Sequence, residues 1–171
     1  MFSTRNDLPL ETRKNITELV QGRLADSIDL SLQCKQAHWN VRGPHFSTLH
    51  ELFDRVHEEI EKSSDVLAER IVQLGGIADG TLDSLSKGTS LSKYPLTLTK
   101  DFEHLNALCD SVSCFAKNTR QTISNAESFG DAVTADILVE ITRRMDKTLW
   151  MLEKHLLENK TEAKTPVKGV A

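Results

Sequence analysis

Residues 35–54 read KQAHWNVRGPHFSTLHELFD. Three histidines (His38, His45 and His50) and Asp54 fall around an Arg42-Gly43-Pro44 break. Glycine favours the left-handed turn that closes a helix, and proline lacks the amide hydrogen that would continue one. The stretch therefore reads as the end of one helix and the start of the next, with imidazoles on both sides of the turn.

Upstream of the break, Ile16, Leu19, Val20, Leu24, Ile28 and Leu32 recur at three- and four-residue steps and predict a helix over about 10–40. Downstream, Leu49, Leu52, Phe53, Val56, Ile60, Leu67, Ile71 and Leu74 predict a second helix from near Ser47 to Gly75-Gly76. A third helix is expected from about Thr99 to Ser128, with Phe102, Leu105, Leu108, Val112, Phe115 and Ile123 on its core face. The Phe129-Gly130-Asp131 turn leads into a fourth, about Asp131 to Glu158, carrying Ile137, Ile141, Met145, Leu149 and Leu152. Trp150 is expected in the core beside them.

Between the second and third helices, IADGTLDSLSKGTSLSKYPLT (77–97) is rich in Gly, Ser and Thr and reads as a long connection with room for one short helical turn. Four long helices with one long crossover make an all-α fold, a ferritin-like four-helix bundle over 10–158. Residues 1–9 are read as a flexible N-terminal extension and 159–171 as a flexible, lysine-bearing tail.

The composition agrees with one globular domain: 171 residues, 39% hydrophobic and 27% charged. The net charge of −4 argues against a globally basic nucleic-acid binder. No apolar run approaches the roughly 18 residues of a membrane span. The start, MFSTRNDLPLETRKN, lacks the apolar core of a signal peptide. Cys34, Cys109 and Cys114 show no disulfide or CxxC spacing, which suits a reducing cytoplasm.

The second helix carries a second stripe. At about 100° per residue, His50, Asp54, Glu61 and Asp65 fall within about 60° of one another, with Glu69 roughly 40° further round. A solvated acidic face would look similar. His50 and Asp54, however, are an i, i+4 pair that aims two ligand heads at one point, and Asp65 and Glu69 repeat that spacing. The second pair starts about 22 Å along the axis from the first, too far for one ion with ~2 Å bonds. Either there are separate sites, or a second copy of this helix runs antiparallel across a two-fold axis near residue 60. His38, at the end of the first helix, could reach the same place.

QAHWNVRGPHFSTLHELFD, continuing through SSDVLAERIVQLGG, resembles the signature of the Dps proteins, the miniferritins of bacteria, and TADILVEITRRMDKTLWMLEKHL is similar to that family's fourth helix. The resemblance implies a hollow dodecamer built from two-fold dimers, with a ferroxidase site at each end of every dimer interface. His38, His50 and Asp54 would come from one subunit, and Asp65 and Glu69 from its partner. It further implies oxidation of Fe(II), preferably with hydrogen peroxide, and storage of Fe(III) mineral, which protects the cell from oxidative stress. Imidazole and carboxylate together suit iron in both states, and Zn(II) fits the same donors.

Other residues are weighed beside these. Trp39, next to His38, is a candidate radical trap or an interface aromatic. His45 sits in the turn and is read as outside the ligand set. His57 lies near the carboxylate stripe as an auxiliary metal residue or an interface contact. Arg70 is expected to pair with an acid across the dimer. Asp131 and Asp136 are candidates for lining a three-fold pore, although helix N-termini favour acids in any case. DNA is a candidate partner through terminal tails: Lys160, Lys164 and Lys168 at one end, and Arg5, Arg13 and Lys14 at the other. Binding there would make the cytoplasmic protein nucleoid-associated. A conventional intrasubunit di-iron site would want Glu-x-x-His, and the chain has none. The rival from another class is a DNA-compacting structural protein with little ferroxidase activity.

Overall fold

A computed structural model describes the backbone of residues 1–162 and the side chains of residues 1–156. Its elements are α1 (Leu10–Asn40), α2 (Phe46–Gln73), α3 (Leu82–Gly88), α4 (Asp101–Ser128) and α5 (Ala132–Glu162). The four long helices match the expected spans to within a few residues, and α3 is the short turn expected in the connection. The side chains of Lys160, Lys164 and Lys168 lie outside the described residues.

α1 packs chiefly on α2 and α4 on α5, so the bundle is two helical hairpins, with α1 also against α4. Hydrogen bonds between distant segments fix how the hairpins run. Asp101, at the start of α4, meets His45 in the α1–α2 turn. Asp131, just before α5, meets Arg70 at the end of α2. α4 therefore runs parallel to α2, and the crossover must span the whole bundle length between them. Phe53, Ile60 and Leu67 from α2 and Phe115, Leu105, Leu138 and Met145 from the other hairpin fill the centre, none more than 1% exposed. Truncating such a phenylalanine to alanine typically costs about 3–5 kcal/mol, because the cavity only partly collapses.

The crossover needs polar partners, since a loop laid on a helix loses water from its backbone. α1 supplies them. Fully buried Asp26 accepts the Ser90 N–H at 2.6 Å and the Ser90 hydroxyl at 2.9 Å, and takes Arg23 at 2.7 Å. The Gln33 amide donates to the Ser92 carbonyl at 3.1 Å, and Gln21 exchanges two hydrogen bonds with Asp79. The Thr89 hydroxyl donates to Asp29 at 2.7 Å. These polar positions divide the surface of α1 between the core and the crossover.

Residues 1–9 form no helix, and the Phe2 N–H donates to the Gly75 carbonyl at 2.6 Å, tying the expected flexible extension to the end of α2. Gly75 itself has φ +86°, and a Cβ there would lie 2.7 Å from the Phe2 carbonyl oxygen. Arg13, counted above among groups for DNA, points inward: its guanidinium donates to the Leu8 and Leu74 carbonyls at 3.1 and 3.0 Å.

Candidate metal centre

The α1–α2 hairpin brings His38 and His50 face to face. Their rings stack with centroids 3.6 Å apart and planes 22° from parallel. The His38 Nδ1–H donates to the His50 carbonyl at 2.8 Å, and the His50 Nδ1–H donates to the His38 carbonyl at 2.9 Å. A carbonyl can only accept, so both rings carry their proton on Nδ1. Both therefore keep the Nε2 lone pair for a ligand, with orientation and tautomer set by the backbone. Phe46, in the first turn of α2, tilts against His50 at 5.0 Å and closes the stack.

Asp54 lies one turn beyond His50, with its Oδ1 4.0 Å from His38 Nδ1. Lys35, one turn before His38, places its ammonium 2.6 Å from that same oxygen. The Lys35 hydrogen bond holds the Asp54 carboxyl below its ordinary value. Lys35 escaped notice in the sequence, although its place one helical turn from His38 was a usable signal. Cys34 is close in sequence but no ligand: it is buried, and burial pushes its thiol up.

Asp65 and Glu69 are exposed, about 16–22 Å further along α2 by helical rise. Asp65 and Glu61 line a cleft of about 360 Å³ between α1 and α2, floored by Leu24, Ile28 and Ala68. The two halves of the expected ligand set are thus held apart on one face. Among the described residues no three His, Cys, Asp or Glu side chains converge on one point within the chain.

Several side residues differ from expectation. Arg70 does not reach across a dimer. It is buried, donates to Asp131 at 2.9 and 3.0 Å and to the Thr134 hydroxyl at 2.8 Å, and so locks the end of α2 to the start of α5. Asp131 is accordingly 1% exposed and also accepts the Thr134 N–H at 2.9 Å. Its carboxylate is spent on a helix cap and an ion pair, which removes it from the pore residues. Asp136 remains exposed on α5. Trp150 is 56% exposed, outside the core where it was expected, and Leu32 is exposed too. Trp39 is 65% exposed beside His38, open to solvent or to a partner. His45 binds Asp101 at 2.9 Å and takes no part in the His38–His50 stack.

Comparison with known proteins now identifies the fold's relatives. The family model described as "Ferritin-like domain" matches residues 17–160. A DNA protection during starvation protein from Agrobacterium fabrum is 41% identical over 155 residues, 91% of this chain and 96% of that one. The chain belongs to the Dps family of ferritin-like proteins. Among solved structures, Mycobacterium smegmatis Dps in its tetragonal form superposes with a TM-score of 0.86 at 30% identity, over 90% of this chain and 94% of that one. DpsC from Streptomyces coelicolor gives 0.87 at 26% identity, over 99% and 94%. The residues matched by the family model include the crossover and both halves of the α2 stripe. No helix among the described residues is long and apolar enough to cross a membrane.

Proposed function

We propose that this Dps chain is a ferroxidase and iron-storage subunit, oxidising Fe(II) at sites shared between two copies and storing Fe(III) mineral inside a hollow dodecamer. The observation that carries the reading is the reciprocal His38–His50 pair, which presents two Nε2 lone pairs beside Asp54 while Asp65 and Glu69 stand exposed on the same helix face. An antiparallel partner α2 would bring its Asp65 and Glu69 to the first chain's His38, His50 and Asp54, giving two equivalent sites per dimer. Neutral imidazoles with carboxylates suit Fe(II) as the substrate and tolerate Fe(III) as the product, and Zn(II) is a competitor for the same donors.

Hydrogen peroxide is the proposed oxidant, each molecule taking one electron from each of two Fe(II) ions. Consuming both reagents together would protect a cytoplasmic cell interior from hydroxyl radicals. Trp39 is the proposed donor to stray radicals, and exposed Asp136 the proposed pore acid. DNA protection, the property in the Agrobacterium relative's name, would reach this chain either through that chemistry or through direct binding by the terminal tails.

The test is Fe(II) oxidation followed by absorbance, with peroxide and with dioxygen in parallel, for the wild type and Asp65→Ala. Fast peroxide-driven oxidation that the substitution abolishes supports the reading. A wild type no faster than a protein-free control overturns it and brings the DNA-compacting reading forward, for which salt-sensitive DNA retardation is the measurement.

A further inference from the structure

Midway along the α2 stripe lies a pair that the ferroxidase reading does not use. His57 is tucked against α1, its Nδ1 2.8 Å from the Ser31 hydroxyl and 3.2 Å from the Ser31 carbonyl. A carbonyl only accepts, so the tautomer that satisfies both contacts carries the proton on Nδ1. This repeats the arrangement of His38 and His50 and turns the Nε2 lone pair outward. It faces Glu61 Oε2 at 3.5 Å.

That separation suits a shared cation better than a hydrogen bond. N–H···O contacts centre near 2.9 Å. Two ligand atoms each bound at about 2.0–2.1 Å around a tetrahedral ion sit roughly 3.3–3.4 Å apart. Two acceptors facing each other across this gap are a two-point chelate awaiting a positive charge. His57 is anchored, with its side chain 17% exposed, while the Glu61 side chain is 62% exposed and free to adjust.

The pair's position along the helix supplies the rest. An antiparallel α2 partner that sets His50 and Asp54 against Asp65 and Glu69 pairs each position with one whose number brings the sum to about 119, counting by helical rise. His57 and Glu61 sum to almost that value, so the pair straddles the two-fold axis. The partner's Glu61 would come opposite His57, and the partner's His57 opposite Glu61. Two imidazole nitrogens and two carboxylate oxygens would then surround one point on the axis.

We propose that the His57–Glu61 pair, doubled across the two-fold axis, binds one divalent transition-metal ion, Zn(II) by preference, at the centre of the dimer interface. The inference rests on the inter-subunit reading of the ferroxidase site. It adds a third, closed position between the two oxidising ones. Four protein ligands leave no open coordination place for peroxide, so the ion would fasten the dimer rather than react.

The test is Zn(II) stoichiometry by equilibrium dialysis of the full assembled chain, with Co(II) absorption as a second readout. Wild type, His57→Gln, Glu61→Gln and Asp65→Ala are compared, with sedimentation reporting assembly. The expected result is a loss of about one ion per two chains in both His57→Gln and Glu61→Gln, together with loss of the intense visible bands of tetrahedral Co(II). Asp65→Ala should lose ions from the outer sites and keep those bands. Unchanged stoichiometry and bands in both His57→Gln and Glu61→Gln, with ions lost in Asp65→Ala, would overturn the axial site and leave the ferroxidase reading standing. Loss in the two axial variants with none in Asp65→Ala would support the axial site and count against the outer ones. Glu61→Gln, changed at an exposed carboxylate, keeps the test decisive if His57→Gln fails to assemble.

Discussion

The Lys35 ammonium lies 2.6 Å from Asp54 Oδ1, on the side of Asp54 where the Oδ1 also comes within 4.0 Å of His38. A cation bound by His38, His50 and Asp54 must compete with that ammonium for the same oxygen. It must also tolerate a positive charge close by.

Lys35→Gln is therefore expected to tighten binding of the first divalent ion. Because the pair is partly exposed, the gain should be modest, about two- to fivefold in affinity. A Zn(II) titration of the two proteins measures it. Weaker binding in the variant would mean that Lys35 supports the site rather than competes in it.

The Arg70–Asp131–Thr134 cluster sets the stability of the bundle's far end. Both charged groups are buried, so removing one strands the other without water. Asp131→Ala or Arg70→Ala should cost about 3–5 kcal/mol in urea denaturation. Burial would raise the Asp131 carboxyl, but Thr134 and Arg70 outweigh it and hold it below its ordinary 3.8. Its contribution is complete above that value and fades as pH falls through the lowered one. Asp131→Asn should remove that part of the acid sensitivity.

His104 gives a pH dependence in a milder range. It is buried, accepts from or donates to the Tyr94 hydroxyl through Nδ1 at 2.6 Å, and has no partner at Nε2 among the described residues. Burial lowers its basicity below the ordinary 6.5. Between the lowered value and 6.5 the unfolded chain binds a proton that the folded chain refuses, so stability should fall as pH drops below 6.5. Denaturation midpoints across that range, compared with His104→Leu, measure the effect. An identical slope in the variant would assign the dependence to another group.

Much of this fold was legible because its signals are local. Helical period, the Gly43-Pro44 break and the Gly130 turn each act within a few residues, and they located all four long helices. His38 and His50 stood out for the same reason, at fixed steps on two adjoining helices, and the hairpin stacks them ring to ring. What escaped depends on contacts distant in sequence. Arg70 looked free for a dimer partner because Asp131 is 61 residues away. Asp26 and Gln33 carry no sign of their role in the sequence, because their loop partners, Ser90 and Ser92, have no periodic signal. Trp150, expected in the core beside Leu149 and Leu152, instead faces outward from α5.

The central claim is that each oxidising site draws on two chains, and complementation between two inactive variants tests it most directly. His50→Ala and Asp65→Ala proteins are dissociated, mixed in equal amounts and reassembled, and peroxide-driven Fe(II) oxidation is then measured. Random pairing makes half the dimers hybrid. Each hybrid has one site with an intact His50 from one chain and an intact Asp65 from the other. The mixture should recover about a quarter of wild-type activity while each variant alone stays inactive. A reassembled mixture as inactive as its components would contradict the shared site.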